Sequence, residues 1–80
     1  MKQVLVLGTG CAKCKLLEEK VRQAIAQHGI AAEVSKVAEI KDIMKYGILS
    51  TPGLVIDGVV KWSGGIPKDE QIVQWLQGGV

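Results

Sequence analysis

The feature that most restricts how this chain can fold is Gly8-Thr9-Gly10-Cys11-Ala12-Lys13-Cys14-Lys15, a glycine-flanked segment that holds both cysteines and joins an apolar run to a strongly helical one. Ahead of it, Lys2 to Leu7 is β-branched and apolar, the pattern of a strand covered on both faces. Behind it, Leu17, Val21, Ala24, Ile25 and His28 recur at intervals of three and four with Cys14 on the same stripe, while Glu18, Glu19, Lys20, Arg22, Gln23 and Gln27 mostly take the other side. This spacing predicts a helix from Ala12 to His28, stopped by Gly29. Gly8 and Gly10 supply backbone freedom for a turn that presents Cys11 without crowding, and Thr9 is the expected cap. His28, beside the stop, reads as a structural or surface residue.

Two cysteines three apart at a helix start lie about one turn from each other on one face, close enough for their sulfurs to bond. Unpaired backbone N–H groups and the macrodipole at that end favour a thiolate at Cys11, and Lys13 and Lys15 add positive charge. Cys14 continues the buried stripe, so Cys11 is expected to be accessible and Cys14 covered. Attack on a disulfide needs a thiolate, and release needs a second thiol; Cys11 and Cys14 fit those roles in that order. The same pair could instead hold a soft ion such as copper(I) or zinc as two thiolate ligands. A closed structural zinc site finds too few ligands, since His28 is the single histidine and no third cysteine exists. Two inert core cysteines are the remaining bland reading.

At 80 residues the chain is expected to form one domain, residues 1–80, with a compact core and short loops. Ten basic residues are scattered among eight acids without aromatic interleaving, which argues against nucleic acid as a partner. No stretch approaches the ~20 apolar residues of a membrane span. The run Val4 to Leu7 is too short for a signal-peptide core, so the expectation is a cytoplasmic monomer, a setting in which a Cys-x-x-Cys is catalytic more often than structural.

Farther along, Ile30 to Val37 carries a weaker strand signal, broken by Glu33, Ser35 and Lys36, and is expected toward a sheet edge. Glu39 to Tyr46 places Ile40, Ile43 and Met44 at helical spacing and ends at Gly47; Met44 and Tyr46 read as packing residues. In Ile48-Leu49-Ser50-Thr51-Pro52-Gly53, the proline marks the start or edge of a strand, Leu54 to Ile56. Asp57-Gly58 between that run and Val59 to Trp62 is a hairpin signal. A loop over 63–67 leads to a last helix with Pro67 at or just before its first position, Asp69 and Glu70 in its first turn and Ile72, Val73 and Leu76 inward, ending at Gly78-Gly79. Trp62 and Trp75 read as partial packing. The order βαβαββα implies an α/β fold: a mixed four-stranded sheet with helices on both faces, its helix crossovers joining parallel strands.

Cys11-Ala12-Lys13-Cys14 after the first strand, Thr51-Pro52 before the hairpin and this element order together resemble the minimal thioredoxin fold of small thioredoxin-like and glutaredoxin-like redox-active disulfide proteins. The resemblance covers nearly the whole chain and implies a thiol–disulfide oxidoreductase without a cofactor, acting on protein or small-molecule disulfides, with disulfide-containing proteins as partners and a reductase or glutathione as electron donor. It makes Cys11 the attacking and Cys14 the resolving thiol, Pro52 a cis-proline facing them, and Thr51 the residue whose backbone meets a substrate strand. Gly64-Gly65 with Asp69 resembles the glutathione-receiving segment of glutaredoxins. Ala12-Lys13 departs from the Gly-Pro of thioredoxins and the Pro-Tyr of glutaredoxins, so a potential cannot be transferred. The first thirty residues also resemble heavy-metal-associated domains, βαββαβ proteins with a Cys-x-x-Cys entering their first helix, which would make Cys11 and Cys14 metal ligands.

Overall fold

The computed structural model describes residues 2–48 and 50–78. Leu49, in the segment leading to Pro52, and Gly79, in the final stop, lie outside them. The elements run β1 (Lys2–Leu7), α1 (Ala12–His28), β2 (Ala32–Val37), α2 (Ile40–Met44), β3 (Gly53–Ile56), β4 (Val59–Ser63) and α3 (Asp69–Leu76). The strands lie in the order β2-β1-β3-β4, so β1 is interior and β2 holds an edge, as its broken apolar run implied. β1 pairs with β2 in parallel, Leu7 beside Val37, and with β3 antiparallel, Leu7 beside Gly53. The first crossover therefore joins parallel strands. The second does not: α2 delivers the chain to the far side of β1 and β3 runs back against it, a pairing between distant segments that no local pattern encodes.

Alternation along the strands divides the core between two faces. Val4, Val6, Leu54 and Ile56 meet Leu17, Val21 and Ala24 of α1 and Ile72 and Leu76 of α3, while Leu7 and Val55 point the other way to Ile43 of α2. Each fully buried aliphatic side chain contributes ~1.5–3 kcal/mol, which makes the α1–α3 face the principal source of stability. The α2 face is thinner. In a helix of five residues only Ile43 reaches the sheet, leaving Ile40 62% and Met44 68% exposed. Met44 is thus a surface residue, against the packing role its spacing suggested, whereas Tyr46 does pack, half-buried, on the smaller core.

Local chemistry sets the ends. Gly29 closes α1 in the left-handed region, at φ 60°, and its N–H donates to the Ile25 carbonyl. Asp57 and Gly58, at φ 51° and 81°, form the tight link between β3 and β4 that Asp-Gly favours. Pro67 is buried two residues before α3, just ahead of the helix. Trp62 and Trp75 lie half-buried against the larger core with ring centroids 6.1 Å apart. Glu18 of α1 accepts two hydrogen bonds from Arg22, at 2.9 and 3.1 Å, and lies 3.6 Å from Lys36 of β2. The Arg22 guanidinium, helped by Lys36 and opposed by partial desolvation, holds its carboxyl below the ordinary 4.5.

Candidate active site

The interior strand β1 ends in the cysteine loop. Its last bonds fix the loop's origin: Leu7 is paired on both sides, and the Gly8 N–H donates to the Val37 carbonyl at 2.9 Å. Gly10 then turns the chain at φ 92°, a conformation that a side chain would strain. Cys11 follows in extended conformation and is itself the residue that caps α1, replacing Thr9 in the expected role. Its Sγ accepts from the Cys14 N–H at 3.2 Å, and its carbonyl accepts from the Lys15 N–H at 3.1 Å. A thiol in this position satisfies one of the orphan donors of the helix, as a serine would, and the bond strengthens if the sulfur carries charge.

Cys11 and Cys14 are joined in a disulfide with their Cα atoms 5.1 Å apart. The two sulfurs are not equivalent. Cys11 belongs to an exposed residue, whereas Cys14 is 5% exposed and faces the end of β1. Lys13 and Lys15 are exposed on the same turn, and among the described residues neither pairs with an acid. Clefts lie between α1 and α3 around Lys20, Gln27 and Asp69, and near Lys2, Lys61 and Trp75; neither is lined by Cys11 or Cys14.

The Thr51–Pro52 peptide bond is cis, and Pro52 is fully buried while Thr51 is exposed. Because Gly53 stands opposite Leu7, continuing the antiparallel register by one residue sets Pro52 beside Gly8, at the end of β1 from which the cysteine loop departs. The Pro52 carbonyl accepts from the Gly64 N–H at 2.8 Å, and the Trp62 indole N–H donates to the Gly65 carbonyl at 3.2 Å. Gly64 is thereby tied to the proline segment, and Gly65 to Trp62 of β4. Asp69 is not free in the same way, since Lys20 of α1 holds its carboxylate at 2.8 Å.

Two contacts here had no sequence signal of their own. One is the capping role of Cys11, which the spacing of Thr9 concealed. The other is Gly8. Its backbone is not in the left-handed region; instead it is a point of close approach, where an added Cβ would run into Cys14 Sγ and stand 2.8 Å from Cys14 Cβ.

Among the described residues no group of three or more His, Cys, Asp or Glu could hold a metal ion. The chain closes on α3 and has α2 between its second and third strands, so the βαββαβ order of heavy-metal-associated domains is not matched. No described helix is long and apolar enough to cross a membrane.

Residues 2–77 match the thioredoxin domain family. The chain is 39% identical over 76 residues to a thioredoxin of Methanothermobacter thermautotrophicus, covering 95% of this chain and 99% of that protein. It is 36% identical over 77 residues to a thioredoxin of Methanocaldococcus jannaschii, covering 96% of this chain and 88% of the relative.

Proposed function

Because this chain belongs to the thioredoxin domain family and is a thiol–disulfide oxidoreductase, we propose that Cys11 is its attacking thiol and Cys14 its resolving thiol, working on disulfides of protein substrates. In the first step the Cys11 thiolate displaces one sulfur of the substrate disulfide. A mixed disulfide forms, and the displaced substrate thiolate takes a proton from solvent. Cys14, having lost its proton, then attacks Cys11 Sγ; the mixed disulfide breaks, the second substrate sulfur leaves as a thiol, and the Cys11–Cys14 bond remains. Two electrons and two protons pass from the protein dithiol to the substrate. A reductase or glutathione restores the dithiol by the reverse exchange.

The observation that carries this assignment is the inequality of the two sulfurs. Cys11 is exposed and hydrogen-bonded at the helix N-terminus, so it can meet a protein disulfide and gains most from being a thiolate. Cys14 is covered, so a large substrate reaches it only after Cys11 has bound. Lys13 and Lys15 are modulating charges whose effect on the thiolate falls with ionic strength.

Thr51 and Pro52 supply the neighbouring surface. Exposed Thr51 offers backbone groups to an extended substrate segment, and buried Pro52, bonded through its carbonyl to the Gly64 N–H, anchors the segment that carries Thr51. Gly64, bonded to this segment, and Gly65 after it are the residues to which glutathione would bind as electron donor, with Asp69 contributing only if it leaves Lys20. The role fits a monomer in the reducing cytoplasm.

The test is to trap the intermediate. Cys14→Ser should accumulate covalent substrate adducts on Cys11, visible as a mass increase that dithiothreitol reverses, and Cys11→Ser should accumulate almost none. Equal trapping by both variants, or trapping on Cys14 alone, refutes the assignment.

A further inference from the structure

We propose that Gly8 is a positioning residue for the resolving thiol, and that the missing side chain at this position sets how strongly the protein holds its own disulfide. The proposal deepens the exchange reading above and rests on it. Both backbones that meet here are fixed. Leu7 is in register with Val37 on one side and Gly53 on the other, and the Gly8 N–H is bonded to the Val37 carbonyl, so the end of β1 cannot retreat. Cys14 is in the first turn of α1, with its N–H on Cys11 Sγ, and Leu17 one turn later is fully buried in the larger core. The α1 start therefore cannot lift without unpacking that core.

Between these fixed elements there is room for a hydrogen and for nothing larger. A Cβ on Gly8 would stand 2.8 Å from Cys14 Cβ and 3.9 Å from its Cα, and would overlap its Sγ. The two close contacts behave differently during the reaction. The one with Cys14 Cβ is the same whatever the sulfur does, so it costs the disulfide and dithiol forms alike. The one with Sγ belongs to the side-chain orientation that the bond to Cys11 imposes. When the bond is open, Cys14 can rotate about χ1 and relieve it. Crowding at this position thus raises the energy of the disulfide form above that of the dithiol form. Glycine keeps the pocket open, so that Cys14 can reach Cys11 Sγ, expel the substrate thiol and settle against the strand.

The experiment compares wild type and Gly8→Ala in equilibrium with reduced and oxidised glutathione, the fraction of protein disulfide being read by quenched alkylation and mass. The expected result is a shift of the equilibrium constant toward the dithiol of at least threefold, about 14 mV more oxidising. In single turnover, mixed disulfide on Cys11 should also persist longer in the variant, while its first attack on substrate is little changed. A merely structural role would lower the stability of both forms equally and leave the equilibrium where it was. A shift below threefold, or one toward the disulfide, overturns the proposal. If Gly8→Ala folds in neither redox state the proposal is overturned, because crowding that belongs to the disulfide orientation of Sγ leaves the reduced form able to fold. Wild type is the control for the underlying reading. Absence of disulfide exchange by wild type removes the oxidoreductase premise itself, while exchange by wild type with no shift in the variant removes only the role of Gly8.

Discussion

Opening the Cys11–Cys14 bond should weaken the fold by a calculable amount without unfolding it. The bond closes a loop of four residues, 11–14. In the chain-entropy account such a short loop restricts the unfolded chain by about 6 cal/mol/K, or roughly 2 kcal/mol at 25 °C. Against this, a freed Cys11 thiolate gains ~0.3–1 kcal/mol from the helix N-terminus that already donates to its sulfur. The net loss on reduction is therefore about 1–2 kcal/mol. For a domain of this size that corresponds to a fall in Tm of ~4–16 °C. The fold should survive, because the packing of Leu17, Val21, Ile72 and Leu76 does not involve the cysteines. The assay is urea unfolding of oxidised protein and of protein kept in dithiothreitol, followed by far-ultraviolet circular dichroism at pH 7. Reduced protein that is as stable as oxidised, or more so, refutes the reasoning. So does reduced protein that is unfolded before urea is added.

Leu17→Ala removes a fully buried side chain from the α1–α3 face and should cost ~2–5 kcal/mol by the same urea assay; a loss under about 1 kcal/mol would show that this face is not the main core. Glu18→Gln should cost at most ~0.5 kcal/mol at pH 7, the scale of an exposed pair one helical turn apart. The folded carboxyl is held below 4.5, chiefly by Arg22, so its contribution is complete above 4.5 and is lost as the pH falls through the lowered folded value. The wild type and Glu18→Gln should therefore converge in stability toward pH 3, and a gap that widens on acidification contradicts the sign.

What could be read in advance follows from how local each feature is. The helix Ala12–His28 agrees with the observed span because its stripe is long and glycines bound it on both sides. The hairpin is equally local: Asp57 and Gly58 both occupy the left-handed region that their residue types tolerate. The edge position of β2 was legible in its interrupted apolar run. The direction of β3 was not, since its partner β1 is some fifty residues away and only the assembled core selects that pairing. Ile40 and Met44 misled because three residues at helical spacing cannot reveal that a helix is too short to bury more than Ile43. At the site, the two cysteines and their unequal exposure were legible from the stripe. The cap was not, because a sulfur takes the place that a hydroxyl at Thr9 was expected to fill. Nor was the contact of Gly8 with Cys14, which depends on how closely helix and strand approach. Similarly, Asp69 looked available in sequence but is engaged by Lys20, 49 positions away.

The measurement that reaches the central claim most directly is catalysed reduction of a protein disulfide, such as those of insulin, by wild type supplied with dithiothreitol. Copper(I) and zinc retention by the same reduced protein is followed by elemental analysis after dialysis against competing thiols. The exchange mechanism predicts turnover many times faster than dithiothreitol alone, loss of that turnover in Cys11→Ser, and no stoichiometric metal surviving dialysis. Absence of turnover together with one metal ion retained per chain, lost in either single cysteine variant, would make Cys11 and Cys14 ligands of a metal carrier and contradict it.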